Sequence, residues 1–147
     1  MIKHLWNFVK YNNEKNITIK AYVYAAYYRI CILIWKDKQG EKLEKILGER
    51  GEESSYTESY ETYRIAKNIS RHVNRIAKHT PWESKCMVRA LTAQKLLEER
   101  GIETTLYLGV GTKEDGTMRA HAWLRCGEYC VTGEGNAECA VVAKYKK

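Results

Sequence analysis

Proline and phenylalanine each occur once in this chain of 147 residues, and both scarcities constrain the fold. A single proline, Pro81, leaves few loops that a rigid φ could punctuate, so turns must come from glycine and polar residues. Five cysteines contain no C-x-x-C pair, which removes the usual spacing of a structural zinc site. An odd number of thiols, with no charged-then-apolar secretory segment, predicts free cysteines in a reducing, cytoplasmic setting rather than a disulfide framework. One soft-ligand set, Cys126, Cys130 and Cys139 with His121, is weighed and set aside because Cys126 and Cys130 fall on opposite faces of a predicted hairpin. No metal and no cofactor are expected. Internal repeats and low-complexity tracts are absent, and no aspartate follows Asp115.

What is present suits one domain over residues 1–147, since 44% of the residues are apolar and the length supports a single core. Four Trp and eleven Tyr supply aromatic groups with polar tips, suited to half-buried positions and groove walls. The formal charge of +7 is spread over several helices among 18 acidic residues, not gathered in one stripe. That distribution argues against a nucleic-acid partner and leaves a solvated surface or an acidic peptide partner. The most apolar run, residues 17–35, is interrupted by Lys20 and Arg29, so it reads as a helix enclosed by its neighbours, with Cys31 in the core, and not as a membrane span.

Residues 1–13 place Ile2, Leu5, Trp6 and Val9 at helical intervals, which predicts a short packing helix before an Asn pair. A KDKQG turn and a short helix over 41–47 follow, making residues 1–52 a helical region ahead of a core at 53–147. Residues 49–58, polar with Gly and Ser, read as a flexible linker. A helix is predicted from about 57 to 78, basic on one face, with His72 and His79 as solvated surface histidines.

The stretch TPWESKCMVRALTAQKLLEERG, residues 80–101, organises the rest. Pro81 suits a first helical turn, Ser84 can cap the donors that follow, and Gly101 closes the helix. Val88, Ala90, Leu91, Ala93, Leu96 and Leu97 leave a narrow polar stripe, so this helix is central. Cys86 stands at its start, where unpaired N–H groups and the positive end of the helix dipole favour a thiolate. As a lone residue it could equally be a small buried hydrophobe.

Downstream, RAHAWLRCGEYCVTGE reads as two strands around a Gly127-Glu128 turn. With Cys126 facing Tyr129, the register sets His121 opposite Glu134 and puts Cys130, Thr132 and Glu134 on the face of His121. A cysteine, a histidine and an orienting third residue make a site for acyl transfer through a thioester. Glu134 is the first candidate for that third place, with Thr132 and Asn136 behind it. Strands at 103–110 and 118–126, the short strand at 129–133, and a last one at 140–146 complete an antiparallel meander.

Together, PWESKCMVRALTAQKLLEERGIETTLYLGV and AHAWLRCGEYCVTGE resemble the lasso-peptide leader peptidases, bacterial cysteine proteases with a transglutaminase-like, papain-like core. The resemblance covers roughly the last two-thirds of the chain. It implies an α+β fold in which a central Cys-bearing helix packs on a small antiparallel sheet. It makes Cys86 the nucleophile and His121 the general base, and it selects water to resolve the thioester. The family's usual aspartate after the histidine has no counterpart here. The resemblance further implies a precursor-peptide substrate cut at the leader–core junction, a separate leader-recognition protein, and an ATP-dependent lasso cyclase as the next enzyme. A transamidase or amidase of the same core, or a catalytically idle peptide-binding scaffold, are the alternative readings.

Overall fold

The computed structural model describes residues 2–3, 14–35, 41–80, 85–134 and 138–147. The packing helix expected over residues 1–13, the KDKQG turn, the cap at Ser84 and the candidate Asn136 lie wholly or largely outside them. Among the described residues four helices carry the core: α1 (Lys15–Trp35), α2 (Glu41–Leu47), α3 (Tyr60–Ala77) and α4 (Cys86–Glu98). Five strands, β1 (Glu49–Arg50), β2 (Thr105–Thr112), β3 (Met118–Cys126), β4 (Tyr129–Thr132) and β5 (Ala140–Lys146), form one antiparallel sheet in the order β1-β5-β2-β3-β4. This is the α+β arrangement expected.

Helix α4 is central because both of its sides are covered. Val88, Leu91, Leu96 and Leu97 are at most 1% exposed, packed among Ala66, Ile69 and Val73 of α3 and Leu106, Leu124 and Val131 of the sheet. Burial of each such side chain contributes roughly 1.5–3 kcal/mol. Helix α3 begins where Ser59 accepts a hydrogen bond from the Thr62 amide, three residues later than the start at about 57 read from the sequence.

Four expectations need correction. Helix α1 is not enclosed: Ala21, Ala25, Tyr28 and Cys31 pack inward, while Ile19, Val23, Tyr27, Ile30 and Ile34 stand about half exposed or more on the other side. Within it, Lys15–Ile34 has the length and apolarity of a membrane-crossing helix, with mean hydropathy 1.3. His72 is buried, not solvated, because α1 closes over it: Thr18 Oγ1 lies 3.4 Å from Nδ1 and Glu14 engages Nε2. The sheet is no simple meander, since β5 crosses to pair with β2 and β1 instead of β4.

Residues 49–58, finally, are not a linker. Arg50 pairs with Tyr145, the Gly51 amide donates to Lys144, and Ser54 is 3% exposed with its amide on Thr105 Oγ1. The anchor is Arg125, whose guanidinium donates to the carbonyls of Ser54, Ser55 and Gly127, to Thr105 Oγ1 and to the Tyr107 hydroxyl. It also lies 3.9 Å above the Tyr56 ring. Tyr107 passes the interaction on to Glu53, its hydroxyl donating at 2.6 Å. A buried guanidinium satisfied at all these points rigidifies a polar segment that has no apolar reason to stay.

Candidate active site

Cys86 is the first residue of α4 and is half-buried. The residue before it, Lys85, takes the N-cap position with an extended backbone and no side-chain cap bond. Among the described residues no N-cap side chain occupies the first-turn amides, which gather where the helix dipole is positive. An anion formed beside Cys86 meets donors already in place.

Strand β3 supplies the imidazole. Ala122, Leu124 and Cys126 alternate toward the helices, and His121, Trp123 and Arg125 toward the opposite face. His121 stacks on Trp123, ring centroids 5.8 Å apart, and Trp123 on Tyr107 at 5.4 Å. Gly109 faces His121 across the ladder, and an added Cβ there would come within 2.7 Å of the Trp123 ring, so glycine makes room for this stack. The helices cover the face opposite His121, because β3 buries its even-numbered residues against them.

Arg119, two residues before His121, ties the start of β3 to the approach to β5. Its Nη2 donates to Cys139 Sγ at 3.4 Å. That thiol first, then Glu138 and Cys86, strengthen its hold on the proton. On the other side, Arg89 of α4 lines a cavity of about 470 Å³ together with Asn74, Lys78, Gly133 and Glu134. Among the described residues no hydrogen bond joins Cys86 and His121.

The third position differs from the register read in the sequence. Cys126 pairs with Tyr129 and Arg125 with Cys130 as predicted, but Leu124 then pairs with Thr132, because β4 carries one extra residue, a bulge at Val131. Val131 goes into the core, and Thr132 pairs beside Leu124 on the helical face, 1% exposed. The bulge shifts the phase by one, so Thr132 is not on the face of His121 and Glu134 does not face it. Glu134 is exposed, past the end of the strand.

His121 instead bonds to the backbone: Nε2 lies 3.0 Å from the Gly133 carbonyl oxygen. A carbonyl only accepts, so Nε2 carries the proton and Nδ1 of the neutral ring is the free base. Gly133 has φ +86°, and a Cβ there would sit 2.4 Å from Trp123 Cβ and 2.6 Å from the Ala122 carbonyl oxygen. Only glycine brings its carbonyl this close. A carbonyl has no signature in sequence; the glycine in Thr132-Gly133-Glu134 was the available signal.

Other thiols in the fold are placed differently. Burial pushes the Cys126 thiol up to about 11 and raises that of Cys130, which donates to the Thr132 carbonyl at 3.1 Å. Among the described residues no group of three or more His, Cys, Asp or Glu is placed to hold a metal ion.

Residues 41–144 match the family model described as the transglutaminase-like superfamily. The chain belongs to that superfamily. No curated protein and no solved structure was found to match it. The transglutaminase-like domain accordingly spans α2 through β5, with Cys86 and His121 inside the matched residues.

Proposed function

We propose that this transglutaminase-like protein is a cysteine peptidase that removes the leader from a lasso-peptide precursor. The observation that supports the chemistry is the His121–Gly133 hydrogen bond, which leaves Nδ1 of the ring as the base, with Cys86 at the first position of α4 as the thiol. His121 Nδ1 takes the thiol proton, and the Cys86 thiolate attacks the scissile carbonyl carbon. The oxyanion is met by first-turn amides of α4, including that of Cys86. The C–N bond breaks as the imidazolium returns its proton to the leaving amine. Water, deprotonated by His121, then hydrolyses the thioester and restores the thiol.

Substrate and partners come from the sequence resemblance. The precursor is cut at its leader–core junction in the cytoplasm, a separate leader-recognition protein presents it, and an ATP-dependent cyclase takes the product. The test incubates precursor with this chain and that recognition protein, with and without hydroxylamine. Hydrolysed core and leader support the reading, and cleavage should vanish in Cys86→Ala. Hydroxamate in place of acid indicates a transamidase, and no acyl transfer with any peptide indicates a scaffold.

A further inference from the structure

One wall of the molecule remains unused by this chemistry. Along α3, Arg64, Lys67, Arg71, Asn74 and Lys78 recur at intervals of three and four, so they share one flank of the helix. That flank faces the β3–β4 turn and the outermost strand, β4. At the turn end lies a cavity of about 660 Å³, walled by Tyr60, Tyr63 and Tyr129 and edged by Arg64, Lys67 and Arg71. At the other end, Asn74 and Lys78 border the smaller cavity with Gly133, whose carbonyl holds His121. Ser70 anchors the helix to the strand between them, donating to the Val131 carbonyl at 2.5 Å.

The two cavities lie on either side of that bond along the seam between α3 and β4, and the larger one forms a crevice at the turn end. From Tyr129 to Gly133 the strand covers roughly 13 Å at about 3.3 Å per residue. Among the described residues the two linings carry Arg64, Lys67, Arg71, Lys78 and Arg89 against Glu128 and Glu134. Glu61 engages Arg64 from outside the crevice, and Arg71 bonds Asn68 and adds to the hydrogen bond from His72 that holds the Glu14 carboxyl low. Lys67 stands 5.9 Å over the Tyr129 ring. The larger cavity has the size of a site for several side chains, its walls are tyrosine rings, and its rim is cationic.

We infer that this crevice binds an acidic, aromatic or aliphatic segment of the substrate peptide, about four or more residues from the scissile bond. The inference rests on the peptidase reading for the identity of the ligand. Carboxylates meet Lys67 and Arg71 while apolar side chains enter between the tyrosines. The segment holds the scissile bond at the Cys86 end by raising its effective concentration, which lowers KM and leaves kcat unchanged.

The test separates binding from catalysis. A short fluorescein-labelled peptide alternating Glu with Tyr and Leu, and its counterpart with Gln for Glu, are titrated into the Cys86→Ala protein at low salt and followed by anisotropy. The Glu peptide should bind about tenfold more tightly, and the Lys67→Glu/Arg71→Glu double variant should abolish the difference while retaining its circular dichroism. Equal affinity for the two peptides overturns the inference, as does undiminished binding by the double variant. Tighter binding of polyuridylate at Lys67 and Arg71 also overturns it, making the crevice a nucleic-acid site. Because no bond is cleaved in this assay, binding without peptidase activity would refute the proposed reaction and leave the site standing. Cleavage without acidic preference would do the reverse.

Discussion

His121 is oriented by the backbone of Gly133: the imidazole Nε2 and the carbonyl oxygen stand 3.0 Å apart, twelve residues from each other in sequence. The relation makes a glycine, rather than an acid, the residue on which the imidazole's tautomer depends.

Gly133→Ala should therefore lower kcat by about one to two orders of magnitude, since a misplacement of about 1 Å can cost that much. It should also cost about 1–3 kcal/mol of stability, because a Cβ at φ +86° strikes Trp123 and the Ala122 carbonyl. Glu134→Ala, removing an exposed side chain beyond the end of β4, should leave single-turnover cleavage within about twofold, a difference of about 0.4 kcal/mol in barrier. Loss of rate in Glu134→Ala alone would refute the backbone assignment.

Alkylation should sort the thiols by environment. Cys126, fully buried and pushed up to about 11, should resist iodoacetamide in the native protein at pH 8 and react only on unfolding. Half-buried Cys86 should be labelled in the native state, and mass spectrometry of tryptic peptides reads both. Equal labelling of the two in folded protein would contradict this packing.

Arg125→Met should destabilise the fold by about 2–4 kcal/mol, because it leaves the carbonyls of Ser54, Ser55 and Gly127 without their donor. Thermal melting should show it as a fall on the order of 5–15 °C. Limited proteolysis should cut the variant first within residues 49–58. Full resistance there would show that other contacts hold the segment.

Acid should loosen the same region through Glu53. Hydrogen bonds from Tyr107 hold its carboxyl below the ordinary range, with Tyr56 and Lys144 adding to the effect. The folded pKa is below the unfolded one, so this stabilisation is complete above the unfolded value and is lost as pH falls through the folded value. Glu53→Gln should flatten the acid limb of a stability–pH curve and lower the plateau at neutral pH. An unchanged acid limb would place the titration elsewhere.

The central helix and the strands were legible because apolar periodicity and glycine turns report burial directly: Leu91, Leu96 and Leu97 on α4, and Gly127 between β3 and β4. What failed has a common cause. The bulge at Val131 adds one residue where the strand has to feed both Val131 and Thr132 to the core, and alternation alone gives no sign of it. Ser54 and Ser55 look like linker residues because their anchor, Arg125, is distant in sequence. His72 looks solvated until α1 covers it. The half-exposed side of α1 escaped notice because a run of apolar residues does not say how many of its faces find partners.

The Arg125 clamp has a kinetic side. It joins positions 54 and 125, so the closure of that long loop has to be made before the guanidinium gains anything from it. Contacts of that range form after the rate-limiting step when nucleation is local, for instance between α3 and α4. The clamp then acts as a latch on escape from the native state. Its removal should raise the unfolding rate constant while hardly changing the refolding one, and the lifetime of the folded molecule would be set by one buried cation.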